Sequence, residues 1–259
     1  MSRIRQAVIL AAGAGRRMGE ITRQTPKPMI KISGKPLIGY VLDLLVAHGF
    51  DDIGINLFYL PDQIKNYLGN GSRFGCRITY VEEKYLTGTA GGVLAVAKKL
   101  KPQQPFLVIS AKMLVNFNLS AFYKFHLKKK SLVSVCCYQR PKDQLQKSGV
   151  VLFDNKSYRI KKFIERPQTD KDFISQWVNS SVYMFDPAVV DLIPDQVNGS
   201  KVVELSRDVF PILLKKNRRL FAYPVDNGKY YQLGIDTPDR ISRAEADIQS
   251  GKFVPILPG

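Results

Sequence analysis

The stretch Ala7-Val-Ile-Leu-Ala-Ala-Gly-Ala-Gly-Arg-Arg-Met-Gly19, followed by Thr25-Pro-Lys-Pro28, gives the strongest structural signal in this chain. It is an apolar run that stops at a glycine loop with two arginines and then reaches a lysine between prolines. The loop glycines let backbone N–H groups approach an anion closely, while Arg16, Arg17 and Lys27 supply positive charge. The flanking prolines restrict the backbone at Lys27, which lowers the entropic cost of placing its ammonium group. The stretch therefore predicts a phosphate-binding loop at the end of a strand.

The residues after the second glycine distinguish this loop from a dinucleotide site. A dinucleotide-binding fingerprint requires a third glycine where Met18 stands and a helix that the loop opens, but basic residues follow instead. A lone Gly-x-Gly pair after a strand is also typical of a plain strand-to-loop turn. The basic cluster and the Pro-Lys-Pro segment favour the phosphate-binding interpretation over that turn.

The strong positive charge of the chain indicates an anionic partner. The formal net charge is +17, from 39 Lys and Arg against 22 Asp and Glu. The basic residues are scattered, and most of them stand where helices are expected to end, where positive charge complements the helix dipole. No helix-turn-helix and no strand with interleaved aromatic and basic residues accompanies the charge. We therefore expect small phosphorylated ligands, with nucleic acid as a minor alternative that rests on charge alone.

Length and composition point to one sizeable domain. The chain has 259 residues, of which 45% are hydrophobic, so it is long enough for one large α/β domain or two small ones, and we favour one. The cysteines Cys76, Cys136 and Cys137 lack the spacing of a zinc site, which fits reduced thiols. No stretch reaches the ~18 uninterrupted apolar residues of a membrane span, and the N-terminus lacks the long apolar core of a signal peptide. We expect a cytoplasmic protein with no membrane partner.

Apolar, strand-like runs alternate with helix-period segments through the first half of the chain. The predicted strands there are Ala7–Ala12, Asp52–Phe58, Arg77–Val81 and Phe106–Ser110. The predicted helices there are Pro36–His48, Pro61–Leu68, Ala90–Leu100 and Leu119–Lys129. This alternation predicts an α/β fold with a Rossmann-like mixed, mainly parallel sheet flanked by helices.

The second half is richer in β segments. Its predicted strands are Leu132–Tyr138, Gly149–Phe153, Arg159–Glu165 and Trp177–Phe185. A helix is predicted over Val203–Lys215. A final helix is predicted with Thr237 as its N-cap, Pro238 in its first turn and Gly251 after its end.

With these elements in order, the chain resembles the sugar nucleotidyltransferases, or nucleoside-diphosphate-sugar pyrophosphorylases. It looks most like the branch of the mannose-1-phosphate guanylyltransferases and N-acetylmuramate-1-phosphate uridylyltransferases. The resemblance rests on eight segments: Leu10-Ala-Ala-Gly-Ala-Gly-Arg-Arg-Met18, Pro26-Lys-Pro28, Gly34-Lys-Pro-Leu37, Asn56-Leu-Phe-Tyr-Leu-Pro61, Gly88-Thr-Ala-Gly-Gly92, Phe163-Ile-Glu-Arg-Pro167, Trp177-Val-Asn179 and Asp236-Thr-Pro238. It implies a single nucleotidyltransferase domain over residues 1–259, with an NTP-binding half at 1–139 and a sugar-binding half, including the C-terminal helix, at 140–259.

The resemblance also implies a reaction and the residues that serve it. A sugar 1-phosphate oxygen attacks the α-phosphorus of an NTP and pyrophosphate leaves, so catalysis depends on positioning and charge neutralisation. The implied catalytic residues are Arg17 and Lys27. The implied nucleotide-binding residues are Leu10, Ala11, Gly13, Gly15, Arg16, Glu83, Gly88, Thr89 and Lys112. The implied sugar-binding residues are Gly149, Glu165, Arg166 and Asn179.

The family pattern of metal ligands is changed in this chain. Family members have Asn-Gly-Asp after the strand that corresponds to Phe106–Ile109, and that aspartate binds Mg²⁺; here the segment reads Ser110-Ala-Lys112, and an ammonium group is no metal ligand. Gly234 stands where the second metal aspartate is usual. The resemblance leaves Asp236 as the expected metal ligand and predicts that Mg²⁺ binding is weakened or lost.

Two interpretations of function follow from this pattern. The chain is an active nucleotidyltransferase that makes an NDP-sugar, or it is a catalytically impaired homologue that binds nucleotide or NDP-sugar as a regulatory or partner subunit. The Glu83 to Gly91 stretch leans toward guanylyl transfer, although one side chain changes such a choice. A homo-oligomer is compatible with the sequence.

Overall fold

The secondary structure of the first half follows the sequence pattern closely. The computed structural model of this protein describes residues 6–193, 202–226 and 228–256. In chain order the strands are β1 Gln6–Leu10, β2 Lys31–Ile32, β3 Lys35–Pro36, β4 Asp52–Leu57, β5 Arg77–Glu82, β6 Phe106–Ser110, β7 Met113–Val115, β8 Val133–Gln139, β9 Gly149–Phe153, β10 Ile160–Glu165, β11 Trp177–Phe185, β12 Leu220–Pro224 and β13 Gln232–Gly234. The α-helices are α1 Ile21–Gln24, α2 Leu37–Ala47, α3 Pro61–Leu68, α4 Gly88–Leu100, α5 Leu119–Lys129, α6 Phe210–Lys215 and α7 Asp239–Gln249.

A mixed sheet of nine strands forms the centre of the fold. Its order is β10-β9-β11-β6-β1-β4-β5, and β8 and β12 extend it beside β11. Strands β6, β1, β4 and β5 are parallel, whereas β11 joins β6 in antiparallel orientation and brings in the second half of the chain. Parallel neighbours need crossover segments, which α2, α3 and α4 provide. The predicted α/β class with a mixed sheet between helices is confirmed.

Strand β1 shows why the parallel strands are apolar throughout. Ala7 and Ile9 pack into one core cluster and Val8 packs into the other, because successive side chains of a strand point to opposite faces. Helices α2, α3 and α5 cover the first face, and α4 and α6 cover the second. A strand that is buried on both faces reads as a continuous apolar run. No helix in the described ranges is long and apolar enough to cross a membrane.

The second half differs from the prediction near its helices. The predicted helix over Val203–Lys215 is a π-helical turn over Leu205–Val209 followed by α6. Val203 is not helical because its N–H donates to the Thr87 carbonyl at 3.0 Å and its carbonyl accepts from Ala90 N–H at 3.0 Å. The final helix begins at Asp239, with Pro238 and not Thr237 at the N-cap. The Thr237 carbonyl instead accepts from Arg240 N–H at 3.1 Å, which closes a tight turn before the helix.

His126 is a titratable group inside the core. It lies on α5 and is 1% exposed, with Nδ1 3.0 Å from the Ser134 hydroxyl. Its Nε2 has no hydrogen-bond partner in the described part of the chain. Burial lowers the pKa of His126 to about 4, against a smaller raising effect of Asp186. Because this value lies below the ordinary ~6.5, neutral His126 favours the folded state above pH ~6.5 and this contribution is lost as the pH falls toward 4.

We expect the free energy of unfolding to reflect this titration. Between pH 7 and pH 4.5 it should fall by about 2.5 kcal/mol more in the wild-type protein than in His126→Asn, which carries no titrating group at this position. Urea unfolding at a series of pH values measures the difference, and all other titrations cancel between the two proteins. The same pH dependence in both proteins would contradict the buried, neutral state of His126.

Candidate functional site

Two cavities open where the parallel strands end. Cavity A, of about 420 Å³, lies over the loop that follows β1 and reaches Glu83, Gly88 and Thr89. Cavity B, of about 470 Å³, lies beside it against strands of the second half. The carboxyl ends of parallel strands are where α/β sheets bind ligands. Both cavities are within the size range of small-molecule sites, which is roughly 300–1,000 Å³.

The structure brings the predicted residues together in two groups. All predicted nucleotide-binding residues line cavity A, together with the predicted catalytic and metal residues; these are Leu10, Ala11, Gly13, Gly15, Arg16, Glu83, Gly88, Thr89, Lys112, Arg17, Lys27 and Asp236. All predicted sugar-binding residues line cavity B; these are Gly149, Glu165, Arg166 and Asn179. Their individual roles toward ligands stay predictions.

The glycine loop is shaped by Gly15, which has a φ of 68°. A Cβ atom at this position would lie 3.0 Å from Thr22 Cγ2 and 3.2 Å from the Lys27 side chain. Glycine therefore allows both the left-handed backbone and the close passage of the Lys27 stem. The loop leads into a single 3-10 turn over Arg16–Met18. This agrees with the sequence, which predicts that no long helix follows the loop.

Asp236 is the centre of a cluster of three cations, of which Arg17 and Lys112 line both cavities and Lys27 lines cavity A. Its Oδ1 lies 3.0 Å from Lys27 Nζ and 3.0 Å from Arg17 Nη2, and its Oδ2 lies 3.1 Å from Lys112 Nζ. We call these four residues the Asp236 cluster. Three cations against one carboxylate leave a net charge of +2, so the cluster attracts a further anion.

Burial and charge compete within this cluster. Burial by itself would raise the pKa of Asp236, but the charges of Lys112, Lys27 and Arg17 together hold it well below its usual value. Burial lowers the pKa of Lys27, and Asp236 opposes that effect. Asp236 is therefore ionised at neutral pH and its negative charge keeps the neighbouring cations in place.

The donor set of the cluster does not fit a magnesium ion. Mg²⁺ takes oxygen ligands in octahedral geometry, and Asp236 is the only carboxylate of the cluster. Both of its oxygens already contact ammonium or guanidinium groups, which would repel a divalent ion. Within the described ranges, no three His, Cys, Asp or Glu side chains form a metal-binding group. In place of the expected metal contact, Asp236 has cationic partners.

The far end of cavity A is ordered by Asn56, which the sequence did not single out as a site residue. Its Oδ1 accepts from Ala11 N–H at 2.9 Å, and its Nδ2 donates to Glu83 Oε1 at 2.6 Å. Glu83 Oε2 accepts from Thr87 N–H at 2.9 Å and from the Thr87 hydroxyl at 2.7 Å. A buried amide within an apolar strand needs such partners, so the position of Asn56 in β4 was the available signal.

Glu204 is a second residue that the sequence did not indicate. Its Oε2 accepts from the Thr89 hydroxyl at 2.6 Å, and the same hydroxyl accepts from Leu205 N–H at 2.9 Å. Glu204 lines both cavities, and the contact joins residues 115 positions apart. Gly88 has a φ of 81°, and a Cβ there would overlap the Val203 backbone. The beginning of α4 is thus held by a distant segment that no local pattern predicts.

Cavity B is built around a bulge in β11. The pairing of β11 with β8 shifts between Asn179 and Tyr183, and Ser181 has a φ of 60°. Asn179 Oδ1 accepts from Ser181 N–H at 2.9 Å and its Nδ2 donates to the Tyr183 hydroxyl at 2.7 Å. Asn179 therefore has partners within the chain, and its amide also stabilises the bulge.

Gly149 and Glu165 are paired across β9 and β10 at the other side of cavity B. A Cβ atom at Gly149 would lie 2.6 Å from Glu165 Oε2, so glycine leaves room for the carboxylate over the strand. No ion pair of Glu165 is found in the described part of the chain, which leaves its oxygens available to hydroxyl donors. Arg166 follows with a φ of 51°, and its N–H donates to the Ser148 carbonyl at 3.0 Å.

Comparisons with known proteins agree with this arrangement. A UTP–glucose-1-phosphate uridylyltransferase of Synechocystis sp. is 32% identical over 231 residues, which cover 85% of this chain and 58% of that protein. A mannose-1-phosphate guanylyltransferase of Mycobacterium tuberculosis is 30% identical over 249 residues, which cover 95% of this chain and 65% of that protein. The chain thus spans about three fifths of the length of these relatives.

Solved structures and a family profile complete the comparison. The crystal structure of a UDP-glucose pyrophosphorylase with UDP-glucose superposes with a TM-score of 0.79 at 22% identity, covering 96% of this chain and 99% of that one, which shows a shared fold. The profile of the nucleotidyl transferase family matches residues 6–235, which is most of the sequence. On that match, and with relatives that are sugar nucleotidyltransferases, the chain belongs to the nucleotidyl transferase family.

Proposed function

We propose that this protein transfers a nucleoside monophosphate from an NTP to a sugar 1-phosphate. The observation that supports this most directly is the wall that cavities A and B share, where Arg17, Lys112 and Asp236 face both. An NTP in cavity A and a sugar 1-phosphate in cavity B would bring their phosphates to the same cations. An oxygen of the sugar phosphate then bonds to the α-phosphorus, the bond from that phosphorus to the bridging oxygen breaks, and pyrophosphate leaves.

The cations of the Asp236 cluster neutralise charge during this transfer. The reacting phosphates carry several negative charges, and fixed positive groups in a partly buried site stabilise them without rearrangement. Lys27 is 8% exposed, so its ammonium has one narrow range of positions. Asp236 acts as a positioning residue, because its carboxylate contacts Lys27, Lys112 and Arg17 and holds these cations close together against their mutual repulsion.

A second candidate function is a nucleotide-binding subunit with little turnover. The contact between Lys112 and Asp236 favours this candidate, since a monovalent ammonium orients fewer phosphate oxygens than a metal ion does. Both candidates share nucleotide binding in cavity A, and the rate of pyrophosphate release distinguishes them. The relatives are named for different bases and sugars, so they do not identify one substrate pair. The assay therefore combines several NTPs with several sugar 1-phosphates.

We expect slow pyrophosphate release that is nearly independent of Mg²⁺. The assay uses the four common NTPs with glucose, mannose and N-acetylglucosamine 1-phosphates, each with Mg²⁺ and with EDTA. Lys112→Asp should raise both the rate and its dependence on Mg²⁺, by tenfold or more, because it restores an oxygen ligand beside Asp236. Lys128→Gln, an exposed change on α5, is the matched control and should leave the rate unchanged.

Fast Mg²⁺-dependent release by the wild-type protein would contradict this account of the cluster. Absence of release with every substrate pair, together with nucleotide binding, would favour the second candidate. Absence of both would remove the proposed function.

We also expect Glu83 and Glu165 to serve different substrates. Glu83→Gln should weaken NTP binding about tenfold, because an amide cannot accept from both Asn56 and Thr87, while sugar 1-phosphate binding stays unchanged. Glu165→Gln should weaken sugar 1-phosphate binding about tenfold and leave NTP binding unchanged. Calorimetric titration of each ligand measures both, and Glu82→Gln, an exposed neighbour that pairs with Lys65, is the control. Equal losses of both ligands in either variant would refute the division between cavities A and B.

A further inference from the structure

A third cavity, which we call the basic recess, lies behind β13 and has a volume of about 280 Å³. Four basic side chains line it, namely Arg140, Arg240, Arg243 and Lys252. No aspartate or glutamate is among its lining residues in the described part of the chain. The recess has no part in cavity A, and it shares Tyr138, Arg140 and Gln232 with cavity B.

The positive charge of the recess is only partly compensated by the protein. Asp247 lies 3.3 Å from Lys252 and 3.7 Å from Arg243, and it already accepts from the Tyr231 hydroxyl at 2.8 Å. Arg140 and Arg240 form no salt bridge with any residue that the structure describes. Arg140 donates to the Ser148 hydroxyl at 3.0 Å, and Arg240 donates to the Gly234 carbonyl at 3.4 Å.

Half-buried guanidinium groups without a carboxylate are an energetic cost for the free protein. Arg140 and Arg240 are both partly shielded from solvent, so water screens their charge less than at an exposed site. Two such groups facing one cavity repel each other, and an anion between them would offset this repulsion. Guanidinium groups also match the geometry of phosphate oxygens through paired hydrogen bonds.

Gln232 supplies a second, independent indication of a ligand site. Its Nε2 and Oε1 are both buried and, within the ranges described, have no hydrogen-bond partner of normal geometry. The Gln232 side chain interacts with the Tyr138 phenol, and no further partner of its amide group is found within those ranges. Buried side-chain amides in native proteins are nearly always hydrogen-bonded. A phosphate in the recess would accept from Nε2, and a protonated phosphate oxygen or a bound water would serve Oε1.

We infer that the basic recess is a second anion site, which binds the phosphate group of a small ligand and is separate from the phosphates at the Asp236 cluster. Its volume lies below the roughly 300 Å³ at which small-molecule sites usually begin, which favours inorganic phosphate or pyrophosphate over a whole nucleotide. The same chemistry would also accept a phosphate substituent that reaches through from a sugar in cavity B.

The position of the recess gives bound phosphate a route to the reaction site. Gln232 begins β13, and the chain continues through Ile235, whose N–H donates to the Lys112 carbonyl at 2.9 Å, to Asp236. A ligand that fixes Gln232 would therefore restrict the position of the segment that carries Asp236, and through it the rate of the transfer reaction. This regulatory effect rests on the proposed function, whereas phosphate binding in the recess does not.

Calorimetric titration with inorganic phosphate, and separately with pyrophosphate, tests the binding. In Lys27→Ala/Lys112→Ala, where the Asp236 cluster is disabled, we expect one remaining phosphate site. Adding Arg240→Gln to this variant should weaken that site at least tenfold, and Arg243→Gln, at the exposed rim, should weaken it less. Adding Lys128→Gln instead should have no effect, and circular dichroism verifies that each variant is folded. The two Arg variants keep the test valid if one of them fails to fold.

Loss of all phosphate binding in Lys27→Ala/Lys112→Ala would overturn the inference. Equal phosphate affinities after adding Arg240→Gln or Lys128→Gln to that variant would overturn it as well. A sugar bisphosphate that binds through Arg240 while free phosphate and pyrophosphate do not would assign the recess to the sugar substrate and overturn a free-anion site. Pyrophosphate release measured with added phosphate tests the regulatory effect separately. Failure of the proposed function would remove that activity but leave the binding result intact.

Discussion

The contact of Asp236 with three cations is the interaction on which the candidate site depends. It joins Lys27 to a residue 209 positions further along the chain and Lys112 to the same residue 124 positions away, and Arg17 of the loop after β1 contacts that residue as well. Each of these segments ends at the carboxyl edge of the sheet, so the contact fixes one point where they meet. Removing one partner from a partly buried group of charges is costly, because the remaining charges are then uncompensated. Replacing Asp236 would leave three cations in mutual repulsion. The loop after β1 and the end of β6 would then lose the residue that both contact.

This arrangement changes how charge is neutralised in a nucleotidyl transferase fold. The sequence resemblance implies a site in which aspartates hold Mg²⁺, whereas here an ammonium group occupies the position after β6 and pairs with the remaining aspartate. The positive charge is therefore part of the protein itself. Arg17, Lys112 and Asp236 line both cavities, whereas Lys27 lines cavity A. The net positive charge of the Asp236 cluster favours the binding of anions.

Much of the fold could be predicted because local signals delimit the elements. Helix α3 begins at Pro61 and ends before Gly69, and β6 and β9 are bounded apolar runs, so their ends agree with the structure. The short strands β2, β3, β7 and β13 have two or three residues each and exist only through pairing partners, which a local pattern does not reveal. The prediction of a helix from Val203 was wrong for the same reason, since the hydrogen bonds of Val203 to the segment that begins α4 outweigh the helical pattern of its sequence.

The candidate site shows the same division between local and distant information. The predicted site residues all line at least one of the two cavities, because motif residues follow strand ends and strand ends converge. The motifs did not reveal Glu204, whose partner lies 115 positions away, or the contacts by which the predicted cations Arg17, Lys27 and Lys112 meet at Asp236. Asn56 was within reach, since a polar residue in the middle of a buried strand indicates a specific hydrogen-bonding role.

Nucleotide affinity in the presence and absence of Mg²⁺ tests the central claim most directly. If the Asp236 cluster supplies the charge that holds the phosphates, calorimetric titration of the preferred NTP should give dissociation constants that agree within roughly threefold in Mg²⁺ and in EDTA, a difference below 1 kcal/mol. A loss of affinity of tenfold or more on chelation would show that a metal ion bridges the protein and the phosphates, and it would contradict the account of a site neutralised by its own lysines and arginine.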